Sequence, residues 1–295
     1  MNQWIQSDGP RTKIQMGKEY VYFPTKKLSI PVNKEQVIAN GTVAEKNANL
    51  ILPSIDWNLN VNQMEKKHMM MIDMIDSNNW ERPIYFSITI GNSASSFSYL
   101  WDYFQLDGLA YRLVPIKTKS RSGQIGRIDA DILYTNLMEK FEYGNMNGEN
   151  VYMDETNLRL VMNIRNNFSR LADNLISTGD TARAVRVLDR CVELMPHNKV
   201  EFNFFMLPII EGYYACNKVA KAREVILTMQ NMFNEKLNYY AQFDDDNKSA
   251  IKNDQQRTMS IYNSVVKVLY ANDKGDFTDK ISADFQEQMQ NPKLR

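Results

Sequence analysis

The chain has 295 residues, of which 43% are hydrophobic and 24% are charged, the composition of a folded protein rather than a disordered one. Its 35 basic and 35 acidic side chains give zero net charge, so composition offers no electrostatic case for binding nucleic acid or an anionic membrane. With 2 histidines and 2 cysteines, we expect neither a Cys/His metal site nor a disulfide framework. No window approaches about 18 consecutive apolar residues, so we expect no membrane-spanning segment.

The first half of the chain alternates strand-like and helix-like runs. β-rich or alternating runs lie at 20–23, 28–31, 54–59, 84–90 and 109–116, and helical patterns lie at 33–37, 62–76 and 129–141. Strands that alternate with helices typically form βαβ units with a parallel sheet. The pattern therefore predicts an α/β domain over 1–150, with a small, mostly parallel sheet.

After about residue 154 the strand-like runs stop. Long helical patterns follow at 155–178, 181–194, 202–215, 219–239 and 254–271. The glycines and asparagines of 144–151 are typical of a loop and predict the domain boundary. We therefore predict a two-part α+β chain in which an all-α domain occupies 151–295.

Small residues recur in the helical half with the spacing of tetratricopeptide repeats. In the first unit, at about 168–196, they are Ala172, Ala184 and Cys191, and Pro196 closes the unit. A second unit, at about 206–234, contains the small residues Gly212 and Ala222 and lacks the closing proline. Small side chains are needed where antiparallel helices cross closely, and stacked units of this kind present a concave groove.

The helical groove is the first candidate binding site. We expect a peptide or protein partner to contact Asn167, Asn174, Tyr213 and Tyr214. A short array can equally well do no more than pack on the first domain, and the sequence leaves this alternative open.

A basic cluster is the second candidate site. Lys117, Lys119, Arg121 and Arg127 follow one another without interleaved acids, so they could contact an anionic sugar, a phosphate or lipid headgroups. The alternative is a solvated hairpin. No pattern of residues indicates a catalytic group, a metal site or a cofactor, so we predict none of the three.

Two segments carry a resemblance to a known family. Asn78–Phe86 and Tyr103–Ile116 resemble the soluble C-terminal region of multi-spanning membrane proteins common in Bacteroidetes, a family similar to protein O-mannosyltransferases of the GT-C glycosyltransferase superfamily. The resemblance implies that sugar transfer belongs to the membrane-embedded half of such proteins. No catalytic residue of the family therefore carries over to this chain.

Three hypotheses follow for function. The first, implied by the resemblance, is a non-catalytic, periplasm-facing accessory domain of a membrane-bound protein O-glycosyltransferase-like protein. Its partner would be a peptide, a protein or the membrane module of the same polypeptide. The alternative is a free-standing tetratricopeptide scaffold, which would be cytoplasmic if the chain is complete. The third is an enzyme that uses Asp107, Arg112 and the basic loop.

Overall fold

The computed structural model describes residues 12–15, 18–21, 27–59, 65–119, 124–244 and 247–294. Its backbone contacts divide the chain into two compact units, Met1–Asp129 and Ala130–Arg295. Strands occur in the first unit and long helices in the second, which confirms the two-part α+β fold class. The domain boundary between residues 150 and 151 stays a prediction.

The first unit contains eight described strands and two described α-helices. The strands are β1 (Thr12–Gln15), β2 (Lys18–Val21), β3 (Lys27–Pro31), β4 (Ser54–Asn58), β5 (Tyr85–Ser87), β6 (Phe104–Leu106), β7 (Ala110–Leu113) and β8 (Arg127–Ile128). The helices are α1 (Lys34–Ala39) and α2 (Lys66–Ser77), and 3₁₀ turns cover Glu45–Leu50 and Ile88–Tyr103.

Strand pairing in this unit is mostly antiparallel, so the prediction of a mostly parallel sheet was wrong. β1 pairs with β2 and β3 pairs with β4, both antiparallel, and a four-stranded sheet has the order β5-β7-β6-β8. Only β6 and β8 run parallel among the described strands. The reason is connection length. Only Asp107–Leu109 separate β6 from β7, with Gly108 at φ 121°, and so short a turn permits only an antiparallel neighbour.

The four-stranded sheet has one apolar and one polar face. Paired residues lie on the same face and successive residues alternate between faces. Phe86, Phe104 and Tyr111 therefore share the apolar face, where the ring centroids of Phe86 and Phe104 lie 4.8 Å apart. The opposite face carries one row across all four strands, formed by Tyr85, Arg112, Gln105 and Arg127.

The described residues of the second unit form helices joined by turns and contain no strand. Its α-helices are α3 (Ala130–Thr135), α4 (Glu155–Ser177), α5 (Thr181–Leu194), α6 (Leu207–Ala215), α7 (Val219–Tyr240), α8 (Lys248–Asn272) and α9 (Asp276–Gln290). Successive helices α4 to α9 pack against one another along the chain. Asp154 and Asp180 cap α4 and α5 by accepting backbone N–H groups of the first turn, as expected for helix N-caps.

The small residues singled out in the sequence lie in the helix packing. Ala172, Ala184, Cys191 and Ala222 are all buried. A Cβ atom on Gly212 would lie 3.2 Å from both terminal methyl groups of Leu188, which is on the neighbouring helix α5. Helices α5 and α6 therefore approach closely because position 212 carries no side chain. The assignment to tetratricopeptide repeats stays a prediction.

Candidate functional site

Two buried aspartates lie side by side at one end of the four-stranded sheet. Asp107 follows β6 and Asp129 follows β8, and the parallel register pairs Leu106 with Ile128 immediately before them. Only 5% of Asp107 and 4% of Asp129 is exposed to solvent. The carboxyl ends of parallel strands are where open α/β sheets bind ligands. We therefore treated this carboxylate pair as the principal candidate site.

Asp107 is held by two side chains from the polar row of the sheet. The Nε atom of Arg112 lies 2.5 Å from one carboxylate oxygen, and the Nε2 atom of Gln105 donates to the other at 2.9 Å. Both partners are present because Gln105 and Arg112 are opposite each other in the β6–β7 ladder. Burial raises the pKa of Asp107, and the nearby charge of Asp129 raises it further. The contacts with Arg112 and Gln105 lower this pKa and so oppose the effect of burial.

Asp129 is held mainly by the 3₁₀ turn at Glu45–Leu50. Lys46 Nζ and Asn47 Nδ2 lie 3.1 and 2.7 Å from its two carboxylate oxygens. Arg127 completes the cluster by donating to Gln105 Oε1 at 3.0 Å. Burial lowers the pKa of Arg127, while the charges of Asp129 and Asp107 raise it.

The charges of this cluster compensate one another. Each carboxylate already accepts hydrogen bonds or ion-pair contacts from groups of the first unit, and buried charges are stable only when they are paired in this way. The arrangement ties the 3₁₀ turn and the β6–β7 hairpin to the end of β8. It brings together Asp107 and Arg112, the residues of the enzyme hypothesis, as a buried ion pair.

The structure assigns different surroundings to members of the predicted basic cluster. Lys117 and Lys119 are exposed, whereas Arg127 is half-buried and bonded to Gln105. Arg121 lies outside the described residues. An open groove of about 470 Å³ runs past Lys117, between it and polar residues of β3 and β4. Anion binding by these residues stays a prediction.

Three of the four predicted groove residues are buried in the helical unit. They are Asn167, Tyr213 and Tyr214, whereas Asn174 is half-buried. The hydroxyl of Tyr213 donates to Asp189 at 3.1 Å and that of Tyr214 donates to Asp273 at 2.9 Å. Burial, with the neighbouring carboxylate, raises the pKa of both hydroxyls. These side chains pack the helices, and partner binding at them stays a prediction.

Sequence reasoning missed two polar connections of the helical unit. Asp273 accepts the Tyr214 hydroxyl and also Nε and Nη2 of Arg223, each at 2.8 Å. The fully buried Arg165 stacks over Phe202, 5.4 Å from the ring centroid. It donates to three backbone carbonyls, of Met195 at 3.1 Å, Val200 at 2.9 Å and Glu201 at 3.1 Å. No sequence signal could have revealed either connection, because the partners are far apart in the chain.

Two kinds of feature are absent from the described residues, a membrane-spanning helix and a cluster of metal ligands. None of the helices in the described ranges is both long enough and apolar enough to cross a membrane. Within the same ranges, no group of three or more His, Cys, Asp and Glu side chains is placed to hold a metal ion.

The part of the chain that carries the carboxylate pair also carries the match to a known family. Residues 1–132 match the model of the family described as TMEM260-associated domain 2. That range includes the whole four-stranded sheet, Asp107, Asp129 and both segments on which the resemblance rests. Over these residues the chain is similar to that family. No curated protein and no solved structure matches the chain.

Proposed function

We propose that this chain is a non-catalytic interaction domain of a membrane-bound, protein O-glycosyltransferase-like protein of the TMEM260 type. The observation that carries the proposal is the family match over residues 1–132. It coincides with Asn78–Phe86 and Tyr103–Ile116, the segments that resemble the C-terminal region of such membrane proteins. In this proposal the chain faces the periplasm, and sugar transfer takes place in the membrane module of the parent protein.

The carboxylate pair supports a structural role for the first unit. General acid–base chemistry needs a carboxyl group within hydrogen-bonding reach of a substrate. Asp107 and Asp129 instead direct their oxygens to Arg112, Gln105, Lys46 and Asn47. The cluster therefore fixes the shape of a surface and does not present a reactive group to it.

Fractionation of source cells tests the proposal. We expect an antibody against the chain to detect a polypeptide much larger than 34.3 kDa in the membrane fraction. Protease added to spheroplasts should then cleave the epitope, since it faces the periplasm. A band near 34.3 kDa in the supernatant would contradict the proposal.

The packing of the second unit favours one alternative, a free-standing tetratricopeptide scaffold that binds a peptide. Its support is the close crossing of helices at Gly212 and Leu188 and the buried alanines at 172, 184 and 222. Such a scaffold would be recovered as the small band in the supernatant, so the same blot separates the two candidates.

A further inference from the structure

β5 is an edge strand of the four-stranded sheet. It pairs with β7 on one side only, with Tyr85 opposite Arg112, Phe86 opposite Tyr111 and Ser87 opposite Ala110. Tyr85 and Ser87 are both exposed to solvent, and 46% of the surface of Tyr85 is accessible. Within the described part of the chain, no strand covers the outer side of β5, which leaves that side available to another chain.

Four backbone groups of β5 have no partner in the ladder with β7. Leu113 N–H donates to the carbonyl of Ile84 at 2.9 Å, and Ile88 N–H donates to the carbonyl of Leu109 at 3.4 Å. Because antiparallel pairs alternate between bonded and non-bonded positions, Tyr85 and Ser87 direct their N–H and C=O groups away from β7. Of these four groups, the carbonyl of Ser87 lies at the N-cap of the following 3₁₀ helix, where it accepts the first helical N–H. The other three, the N–H and C=O of Tyr85 and the N–H of Ser87, have no hydrogen-bond partner in the described part of the chain.

The segment before β5 is fixed in position before any partner arrives. Asn79 and Trp80 have φ values of 44° and 60° and form a tight turn, which the N–H of Glu81 closes on the carbonyl of Asn78 at 2.8 Å. The buried indole of Trp80 donates to the carbonyl of Pro31 at 2.8 Å. A preformed strand loses little conformational entropy on binding, which favours association.

We propose that the outer edge of β5 binds an extended peptide segment, which joins the sheet as a fifth strand. Only an extended backbone offers alternating donors and acceptors at the spacing of the groups on Tyr85 and Ser87. Side-chain alternation defines the peptide further. The residue opposite Phe86 lies on the apolar face, beside the ring of Phe86, and its neighbours lie on the polar face with Tyr85. The bound segment therefore carries an apolar residue flanked by polar ones.

The length of the edge argues for a peptide and against a second copy of the chain. Pro83 has no N–H to donate, and the 3₁₀ turns begin at Ile88, so the usable edge is the three residues of β5. A stable dimer buries on the order of 1,000 Å² or more, which so short a strand pair cannot supply alone. This inference rests on the proposed role as an interaction domain, but it places the contact in the first unit.

Amide hydrogen exchange and a designed peptide test the proposal on the full chain. The probe is a short synthetic peptide that alternates valine and threonine and has lysine at both ends. In the free protein we expect fast exchange at the amides of Tyr85 and Ser87 and slow exchange at Phe86. Addition of the peptide at about 1 mM, where weak complexes still form, should slow exchange at both exposed amides.

Two N-methylated versions of the peptide act as controls, one methylated at the valines and one at the threonines. Methylation removes N–H donors on one edge of the peptide only, so one version should bind about fivefold to tenfold more weakly and the other should bind like the parent peptide. Weaker binding of the peptide methylated at the threonines indicates that it pairs antiparallel with β5. Weaker binding of the peptide methylated at the valines indicates parallel pairing. Equal affinity of all three peptides, or equal loss in both methylated versions, would overturn the proposal.

Substitutions at Ser87 give a matched pair of variants. Ser87 has φ −61°, which proline adopts without strain, so Ser87→Pro removes an outward N–H and no ladder bond. Ser87→Ala loses the same hydroxyl, which accepts from Thr89 N–H at 3.2 Å, but keeps the N–H. We expect Ser87→Pro to weaken peptide binding about fivefold or more and Ser87→Ala to leave it unchanged.

Either of two results would overturn the inference: no binding of the parent peptide at about 1 mM, or slow exchange at the Tyr85 and Ser87 amides of the free protein. Both are independent of cell fractionation, so a chain found in a large membrane polypeptide that fails these assays would refute the β5 site and leave the proposed function standing.

Discussion

Replacement of Asp273 by alanine tests the polar connection between α6, α7 and the end of α8. The carboxylate is 6% exposed and accepts three hydrogen bonds, one from the Tyr214 hydroxyl at 2.9 Å and two from Arg223 at 2.8 Å. Tyr214 is buried, so alanine at 273 leaves its hydroxyl without an acceptor. Such an unpaired buried group costs about 1–3 kcal/mol.

The contribution of Arg223 is smaller because its side chain is 40% exposed. Water replaces the lost carboxylate there, so the screened ion pair adds at most about 1 kcal/mol. We therefore expect Asp273→Ala to lower the free energy of unfolding by about 1–4 kcal/mol.

Urea unfolding followed by far-ultraviolet circular dichroism measures this loss. Glu287→Ala, which removes an exposed carboxylate from α9, is the matched control and should change stability by less than about 0.5 kcal/mol. Tyr214→Phe should cost about 1 kcal/mol in the wild-type chain but should restore stability in the Asp273→Ala background, because there it removes the unpaired buried hydroxyl. An Asp273→Ala variant as stable as the control would refute the reasoning.

Three further predictions concern pH and packing. Hydrogen bonds from Arg223 hold the pKa of Asp273 below its ordinary value. The stability that the ionised carboxylate contributes is therefore complete above about pH 4 and is lost as pH falls through the lower folded pKa. Urea midpoints should consequently fall more steeply in acid for wild type than for Asp273→Ala. Carboxyl NMR should show Asp107 titrating above its ordinary pKa because of burial, and Asp129→Asn should lower that pKa by removing a neighbouring charge. Gly212→Val should destabilise the chain by about 1–3 kcal/mol in urea unfolding, because its Cβ would lie 3.2 Å from two methyl groups of Leu188; unchanged stability would contradict the close crossing.

Local patterns predicted the helical unit well. Ala184 and Gly212 were identified from spacing alone, and both lie where neighbouring helices pack. Helix periodicity and the requirement for a small residue at a crossing are properties of short stretches of sequence, so they can be recognised without knowing the fold.

Strand direction could not be predicted in the same way. No strand was predicted between the runs at 84–90 and 109–116, whereas Phe104–Leu106 forms β6. A strand of three residues has too little alternation to be recognised, and its pairing depends on β7 and β8 rather than on its own sequence. The parallel arrangement was therefore inferred from the wrong set of elements.

The candidate site was visible only in fragments. Asp107 and Arg112 were considered together because they are close in sequence, but Lys46 and Asp129 are 83 positions apart and only the fold brings them into contact. Likewise, Tyr213 and Tyr214 were predicted to line the concave groove of the repeat units. In the structure their hydroxyls are occupied by Asp189 and Asp273, which no local pattern reveals.

The buried guanidinium of Arg165 has a consequence for how this chain tolerates changes of length. By holding the carbonyls of residues 195, 200 and 201, it attaches the connection between α5 and α6 to α4, so an inserted residue there would displace an acceptor from a donor that has no access to water. The turn at 144–148 is largely exposed and bonded mainly to itself, and added residues can loop outward into solvent. Domain insertions and reporter tags therefore belong in the 144–148 turn, and the 195–201 connection should keep a constant length among functional variants.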